Sequence, residues 1–224
     1  MLNASHTIAA ISTAQGQGGI GIVRISGNGA LKIAKKICRG VIKPRFANFH
    51  NFQDETKEIL DQGIVLFFPS PNSFTGEDVI ELQGHGGKAV LESLLDLCIL
   101  YGAKLAQPGE FTKRAYLNNK IDLAQAESVI DVINATTLQA VKSASYSLTG
   151  KFSIKINSLL EKIIGLRVYV EACIDFPEEE IDFLEQGKVI EKLHKIIAEI
   201  DAILAVARQS ELLKNGINLS LIHI

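Results

Sequence analysis

The sequence has no tryptophan, one methionine and only three cysteines among its 224 residues. Cys38, Cys98 and Cys173 are widely spaced and form no C-x-x-C pair, which argues against a disulfide framework or a cysteine metal site and favours a reducing compartment. Each lies in an apolar neighbourhood, so we expect core thiols. No run of eighteen apolar residues occurs, and the N-terminus lacks the pattern of a signal peptide. These absences predict a cytoplasmic protein with no membrane contact.

An excess of charge of either sign is also missing. The 23 basic and 25 acidic residues give a formal net charge of −2 and a pI near 6.2. Because nucleic acids attract strongly basic surfaces, the overall composition gives no indication of a nucleic-acid partner. The length is sufficient for one large or two small domains, each with a core of its own.

The most informative segment that is present is 71–87, with the sequence PNSFTGEDVIELQGHGG. Glu81 and Gln83 alternate with Ile80 and Leu82, so a strand here places the two polar side chains on one face. Glu81 is therefore either a candidate ligand carboxylate or a residue on the wet face of an antiparallel sheet.

The glycines at the end of this segment, Gly84, Gly86 and Gly87, are expected to turn the backbone sharply. Apolar residues at helical spacing then predict a helix over Lys88–Leu100. Backbone N–H groups at such a helix entry favour anionic or acceptor-rich ligands. The alternative is a tight connection without a ligand.

A second informative segment is 108–127, with the sequence PGEFTKRAYLNNKIDLAQAE. A turn at Pro108 is followed by a predicted short helix over Glu110–Leu117. Asp122 is expected to cap the next helix, with Gln125 three residues later in a capping box. Lys120 lies between the two helices, where it is either a surface lysine or a cation directed at a ligand.

The pattern of the chain changes near Lys120. Before it, strands are predicted at 7–13, 20–26, 46–52 and 59–68, with a helix at 30–38. After it, apolar stripes over 123–148, 152–173 and 189–207 are typical of long amphipathic helices packed as a bundle. Gly150 is expected to separate the first two stripes, and Pro177 to end the second. The acidic residues 178–180 are expected to form a solvated first helical turn.

Two enzyme patterns occur only in part. Gly16, Gly18 and Gly21 match the dinucleotide pattern G-x-G-x-x-G, but the residues that follow predict a strand where that pattern needs a helix. The sequence His85-Gly86-Gly87 is similar to an esterase oxyanion loop, but no G-x-S-x-G nucleophile accompanies it. Neither enzyme class is supported.

Four motifs in order resemble the MnmE (TrmE) family of bacterial tRNA modification GTPases. They are TIAAISTAQGQGGIGIVRISG, PNSFTGEDVIELQGHGG, PGEF-x-x-RAYLNNKIDLAQAE and EACIDFPEEEIDF, and the resemblance runs from residue 7 to residue 216. It implies an α+β folate-binding and dimerisation domain, similar to that of aminomethyltransferases, at 1–119. It further implies the first part of an all-α helical domain at 120–216 and a tail at 217–224 where a GTPase domain begins.

The resemblance implies three contacts to 5-formyl-tetrahydrofolate, at Arg24, Glu81 and Lys120, and no catalytic or metal-binding residue. The residue types suit this ligand. Glu81 is expected to accept hydrogen bonds from the amino group and ring N–H of the pterin. Arg24 and Lys120 are expected to meet the carboxylates of the tail or the carbonyl of the one-carbon unit. The alternative for Arg24 is a residue that protects an edge strand.

No G-x-x-x-x-G-K-[ST] phosphate loop occurs in the sequence, so we expect a fragment that does not hydrolyse GTP. For the full-length protein the resemblance implies GTP binding with Mg²⁺ and K⁺, a homodimer through the N-terminal domain, and an FAD-dependent partner of the MnmG/GidA type. It implies that the complex adds an aminomethyl or carboxymethylaminomethyl group at carbon 5 of the wobble uridine of tRNAs. A folate-dependent aminomethyltransferase-like enzyme and a ligand-free dimerisation scaffold are the alternatives.

Overall fold

The structure is a computed structural model that describes residues 6–14, 16–175 and 188–215, with side chains to residue 207. The chain divides into two compact units, residues 1–121 and 122–224. The first unit is a mixed sheet with helices, and the described part of the second is helical. The predicted fold class, an α+β domain followed by an all-α domain of long helices, is confirmed.

Six strands form the sheet of the first unit, in the spatial order β3-β4-β5-β2-β1-β6. They are β1 (Ile8–Ile11), β2 (Gly18–Ser26), β3 (Asn48–Gln53), β4 (Ile59–Phe68), β5 (Val79–Gly86) and β6 (Lys104–Leu105). Neighbouring strands are antiparallel except β1 and β6, which are parallel. Because β5 and β2 are neighbours at the centre, the strands that carry Glu81 and Arg24 lie side by side.

Three helices belong to the first unit: α1 (Ala30–Cys38), α2 (Lys88–Leu100) and α3 (Glu110–Leu117). All three were predicted with these bounds. In α1 the buried residues Ile33, Ala34 and Ile37 follow helical spacing, and they pack with α2 against one face of the sheet. The core between the two helices and the sheet includes Val23, Ile25, Phe52, Val65, Ile80, Leu82, Leu91 and Leu94.

The turn predicted at the glycines after Glu81 is wrong, because β5 continues through them to Gly86. Gly86 pairs with Gly18 on β2, and a Cβ at Gly86 would lie 2.6 Å from the carbonyl oxygen of Gly18. A Cβ at Gly84 would overlap the carboxylate of Asp61. These glycines therefore permit close packing within a strand, and only Gly87 lies at the N-terminus of α2.

Other strand bounds differ by a few residues from the predicted ones. β1 is shorter than the predicted strand at 7–13, and β2 begins two residues earlier than predicted, at Gly18. The strand predicted at 46–52 is β3, which begins at Asn48 because the side chain of Asn48 holds the preceding loop by hydrogen bonds. β4 has the predicted bounds.

The described part of the second unit contains four helices: α4 (Leu123–Asn134), α5 (Leu138–Leu148), α6 (Lys151–Asp175) and α7 (Val189–Asn215). Asp122 caps α4, and the predicted capping box is confirmed. The Asp122 carboxylate accepts from the Gln125 N–H at 2.9 Å, and the Gln125 side chain accepts from the Asp122 N–H at 3.0 Å. α5 packs against each of the other three helices.

The first predicted stripe, over 123–148, is interrupted. The helix ends at Asn134 and a new one begins after Thr137, whose hydroxyl accepts from the N–H of Ala140 and so caps it. Gly150, with φ of 79°, separates α5 from α6 as predicted. The predictions for Pro177 and for the acidic residues 178–180 lie outside the described residues. Within residues 6–14, 16–175 and 188–215, no helix is long and apolar enough to cross a membrane.

Candidate ligand-binding site

The centre of the site is an ion pair between neighbouring strands. The register of β2 and β5 places Arg24 opposite Glu81. Arg24 donates to Glu81 Oε1 from Nε at 3.0 Å and from Nη2 at 2.8 Å. Because Ile25 and Ile80 alternate with these residues and are fully buried on the helix-covered face, the pair lies on the opposite face of the sheet.

The second oxygen of Glu81 is held by the same strand. Gln83 Nε2 donates to Glu81 Oε2 at 3.1 Å. A carboxylate has about four acceptor positions, so three donors leave it with capacity for another ligand. The Glu81 side chain is 14% exposed and that of Arg24 is 29% exposed, so both are reachable from solvent. The pair is thus a fixed, partly exposed carboxylate oriented by one arginine.

Two aromatic rings flank the guanidinium of Arg24. Its Cζ lies 5.9 Å from the ring centroid of Phe74, in the loop before β5, and 5.8 Å from that of Phe111, on α3. Both distances are in the range of cation–π contacts. The Phe74 ring is itself exposed. Flat apolar surface therefore lies beside the charged pair.

A second ion pair anchors the loop before β5 to α3. Arg114 Nη1 donates to Glu77 Oε2 at 2.9 Å, and Arg114 Nη2 donates to Glu110 Oε1 at 2.8 Å. The hydroxyl of Ser26 donates to Glu77 Oε2 at 2.8 Å and lies 2.7 Å from that of the buried Thr75. This network fixes the loop that carries Phe74 relative to the helix that carries Phe111.

The pKa of Glu110 reflects its place in this network. Burial raises the pKa of its carboxyl, but hydrogen bonds from the Gln107 N–H and from Arg114 lower the pKa by more than burial raises it. The net pKa therefore lies below the usual value. Glu110 is therefore a charged partner of Arg114 at neutral pH.

Lys120 packs against the same loop, at Gly76. Its Cγ and Cδ atoms would be 3.2 and 3.3 Å from a Cβ at Gly76, whose φ of 78° already favours glycine. Asn118 Nδ2 donates to the Thr75 carbonyl at 2.7 Å, which ties the end of α3 to the loop. The exposed Lys120 is thus held beside the residues that follow Phe74.

The three predicted site residues are therefore only partly brought together. Arg24 and Glu81 are in direct contact, whereas, within the part of the chain that the structure describes, neither of them forms a hydrogen bond or ion pair with Lys120. Arg24 lies on a central strand, so the alternative of an edge-protecting arginine is wrong. Both cations contact the loop of residues 74–76: Phe74 flanks Arg24, and Gly76 lies beside Lys120.

Sequence reasoning assigned no role to the residues that build this frame. They are Ser26, Phe74, Thr75, Glu77, Phe111 and Arg114. All of them lie inside the motifs RISG, PNSFTGED and PGEF-x-x-RAY. The one available signal was local: Glu110 and Arg114 are opposite charges four residues apart on a predicted helix, a spacing that favours an ion pair.

A hydrogen-bonded histidine–aspartate pair lies at the far end of β5. His85 Nδ1 and Asp61 Oδ1 are 2.6 Å apart, and the His85 N–H donates to Asp61 Oδ2 at 2.8 Å. The Asp61 side chain is 7% exposed and that of His85 is 67% exposed. Burial raises the pKa of Asp61, but the hydrogen bonds from the His85 N–H and ring and from the Gln62 N–H outweigh it, so the pKa is lowered.

The cysteines lie outside the site. Cys38 and Cys98 are buried, and burial raises the pKa of each thiol to about 12. They are therefore protonated core residues at neutral pH, as the sequence predicted. Cys173 is only half-buried, so the prediction of a core thiol is wrong for that residue. Among the residues that the structure describes, no group of three or more His, Cys, Asp or Glu side chains is arranged to hold a metal ion.

The first unit is a mixed sheet that carries a fixed carboxylate–arginine pair, and the second unit is helical in its described part. Comparison with known proteins identifies the family that combines two such units. Residues 7–120 match the family described as the GTP-binding protein TrmE N-terminus, and residues 123–218 match the MnmE helical domain. The chain belongs to the MnmE (TrmE) family.

Similar proteins are named tRNA modification GTPase MnmE. Those of Pseudomonas syringae pv. syringae and Saccharophagus degradans are each 56% identical, over 94% and 95% of this chain and 46% of their own length. That of Hydrogenovibrio crunogenus is 53% identical over 96% of this chain and 48% of its own length. The chain thus spans about half the length of the curated relatives it matches.

Proposed function

We propose that the first unit binds a reduced folate, 5-formyl-tetrahydrofolate, at Arg24, Glu81 and Lys120. The observation that carries the proposal is the Glu81 carboxylate, which Arg24 orients beside the rings of Phe74 and Phe111. A pterin is a flat ring with an amino group and a ring N–H on one edge. One carboxylate accepts both donors, and aromatic side chains cover the ring faces.

In this proposal Arg24 acts mainly through Glu81. Its two hydrogen bonds to Oε1 fix the direction of the carboxylate, so the carboxylate needs little rearrangement when the ligand arrives. This differs from the role that the sequence indicated, in which Arg24 meets the tail of the folate. Lys120 keeps its predicted role as a cation for a carboxylate of the tail, because it is exposed and its side chain packs at Gly76, in the same loop as Phe74 beside Arg24.

The activity of the whole protein extends the proposal. We place this chain in a longer protein that binds GTP with Mg²⁺ and K⁺ and works with an FAD-dependent partner of the MnmG/GidA type. The folate would supply a one-carbon unit, and the complex would add an aminomethyl or carboxymethylaminomethyl group at carbon 5 of the wobble uridine of tRNAs. The names of the relatives support the tRNA modification and the GTPase parts. A cytoplasmic location fits the protonated, unpaired thiols of Cys38 and Cys98.

A homodimer through the first unit is also part of the proposal. The face of the sheet opposite the helices carries exposed apolar side chains, among them Phe49 and Ile64, which lie opposite each other on β3 and β4. Apolar surface of this kind is costly to leave in water, so a second copy of the chain is a suitable cover. Because Arg24 and Glu81 lie on the same face, such a dimer would also bury the ligand more deeply.

Calorimetric titration with 5-formyl-tetrahydrofolate tests the site. Glu81→Gln keeps the shape of the side chain but removes the charge and one acceptor, and we expect at least a tenfold loss of affinity. Glu92→Gln on the exposed face of α2 is the matched control and should bind as the parent does. Equal affinity of Glu81→Gln and the parent would refute the assignment.

The alternatives have their own outcomes. A ligand at a hundred times its Kd stabilises the folded state by about 2.7 kcal/mol, so the melting temperature should rise when the folate is added. No rise in the parent would favour a ligand-free scaffold. Release of a one-carbon unit to a small amine by this chain alone would favour an aminomethyltransferase-like enzyme.

A further inference from the structure

The overall charge balance conceals a strongly basic segment. Residues 30–45 contain six basic residues and no acidic one. The rest of the first unit contains seven basic and ten acidic residues, so this segment accounts for the net positive charge of the unit. The low net charge of the chain therefore results from segregation of charge and does not exclude a polyanionic partner.

The helix α1 presents part of this charge on one face. Lys32, Lys35 and Lys36 are exposed, and their spacing of three and four residues places them next to each other on the helix surface. The buried face of α1 packs on the side of the sheet opposite the Arg24–Glu81 pair. The lysines are thus remote from the proposed folate site and have no role in it.

The loop after α1 adds two cations and an aromatic ring. Lys43 and Arg45 are exposed, and Lys43 Nζ lies 5.8 Å from the ring centroid of Phe46. The Phe46 side chain is itself 58% exposed. A basic surface next to an accessible aromatic ring is the combination that binds unpaired nucleotides, with the phosphates on the cations and a base on the ring.

This loop is held in place by its own hydrogen bonds. Asn48 Oδ1 accepts from the Lys43 N–H at 3.0 Å, and Asn48 Nδ2 donates to the carbonyls of Lys43 and Phe46 at 2.9 and 2.8 Å. Arg45 is tied to the sheet because its N–H donates to the Phe67 carbonyl at 2.8 Å. A preorganised loop loses little conformational entropy when a ligand binds.

One end of the basic segment is bounded by acids. Arg39 Nη2 donates to the backbone carbonyl of Asp54 in the turn between β3 and β4, where Glu55 and Glu58 also lie. Because these acids would repel a phosphate near Arg39, we exclude Arg39. We define the basic surface as Lys32, Lys35, Lys36, Lys43 and Arg45 with the ring of Phe46. Within it, Arg45 Nη2 also donates to the Asn72 carbonyl at 2.7 Å.

We propose that this basic surface binds RNA, with phosphates on the cations and an unpaired base on Phe46. The choice of tRNA as the RNA rests on the proposed function, whereas the phosphate chemistry rests on the surface itself. The relatives are named as tRNA modification proteins, and this surface is the part of the first unit whose charge complements such a substrate. The helix face supplies contacts that are independent of sequence, and the Phe46 ring distinguishes unpaired from paired nucleotides.

Binding of the 224-residue chain to an unmodified tRNA transcript tests the phosphate contacts. The variant K32Q/K35Q/K36Q should lose about tenfold in affinity at low salt, and the slope of log K against log salt should become shallower by roughly 2 to 3. The control K88Q/K104Q/K113Q removes three exposed lysines elsewhere in the first unit and should bind within twofold of the parent. Equal losses in the two variants, or no binding of tRNA by the parent, would overturn the proposal.

Phe46→Leu tests the stacked base. It should weaken binding of the tRNA roughly fivefold or more and leave binding of a fully paired RNA duplex of similar length within twofold. The same loss on both RNAs, or no loss, would overturn the role of Phe46. Thermal stabilisation by 5-formyl-tetrahydrofolate should be unchanged in all of these variants. If the parent does not bind RNA but is still stabilised by 5-formyl-tetrahydrofolate, only the RNA proposal is overturned. If the parent binds RNA but is not stabilised by 5-formyl-tetrahydrofolate, only the folate site is overturned.

Discussion

The carboxylate of Asp61 occupies the space that a side chain at position 84 would fill. Gly84 lies in β5, one residue before His85, and Asp61 lies in β4. The ordinary pairing of β4 with β5 ends at Ile64 and Gln83. Beyond that point, Asp61 provides the partner for the His85 N–H that the strand no longer supplies. The absence of a side chain at Gly84 is therefore what lets the two strands remain joined at this end.

Gly84→Ala should destabilise the first unit by about 1 to 3 kcal/mol, because the new methyl group displaces Asp61 from His85. Gly19→Ala is the matched control, since a Cβ there would meet no atom within 4 Å. Urea unfolding followed by circular dichroism measures both. Equal stability of Gly84→Ala and Gly19→Ala would mean that Asp61 can move aside at no cost.

Asp61→Asn should lower the free energy of unfolding by about 1 to 2 kcal/mol at pH 7, because a charged acceptor of two hydrogen bonds is lost. The pKa of Asp61 is lowered in the folded state, so its contribution is present above the unfolded pKa of about 3.9 and is lost as the pH falls through the folded value. The melting temperatures of parent and variant should therefore converge below about pH 4. A constant difference from pH 7 to pH 3 would contradict this expectation, and Asp96→Asn on exposed α2 is the control.

Local signals in the sequence predicted most elements of this fold. The bounds of α1, α2 and α3 and the capping box at Asp122 follow from spacing and end residues within a few positions of each element. The error at the glycines of β5 has its cause in contacts between distant residues. The strand through Gly84 and Gly86 depends on Asp61 and Gly18, and neither relation is encoded near the glycines themselves.

The candidate site also has a part that local sequence signals predicted and a part that depends on distant contacts. The motifs identified Glu81 and Arg24 as polar residues of strands, which is a local property. That the two form one ion pair depends on the register of β2 against β5, which the sequence alone does not specify. The helix break before Thr137 has a local signal, a capping threonine, but the continuous apolar spacing over 123–148 concealed it.

Arg114→Met should destabilise the first unit by about 3 kcal/mol or more, because it leaves two carboxylates near each other without their shared cation. The side chains of Arg114 and Glu77 are both largely buried, so water replaces the lost partner poorly. Adding Glu77→Gln to Arg114→Met should recover part of the loss, since one of the two charges is then removed. Chemical unfolding of the two single variants and the double variant gives the coupling energy, and additive losses would contradict a direct interaction.

Asp122→Ala should destabilise the second unit by about 1 kcal/mol, because the first turn of α4 loses its side-chain cap. The hydrogen bond from the Ser153 hydroxyl, followed by those from the Gln125 and Ala124 N–H groups, lowers the pKa of Asp122 against the opposing effect of burial. The stabilisation should therefore persist to lower pH than for an ordinary carboxylate. Asp201→Ala, at an exposed position of α7, is the control, and equal unfolding midpoints for the two variants would contradict the capping role.

Arg24→Lys separates the orienting role of Arg24 from its charge. The guanidinium donates to Glu81 Oε1 through both Nε and Nη2, whereas an ammonium group is a point donor that does not reproduce this paired geometry. We expect a loss of about tenfold in affinity for 5-formyl-tetrahydrofolate with little change in stability, because a partly exposed ion pair contributes at most about 1 kcal/mol to folding.

Arg39→Lys, at an exposed arginine away from the Arg24–Glu81 pair, is the control and should bind the folate as the parent does. If Arg24→Lys retains full affinity while Glu81→Gln loses it, positive charge alone is sufficient at position 24. If both retain it, the ligand lies elsewhere on the first unit. The double variant Arg24→Lys/Glu81→Gln tests how Arg24 acts. If it loses no more folate affinity than Glu81→Gln alone, the two changes remove the same interaction, and Arg24 acts through the carboxylate.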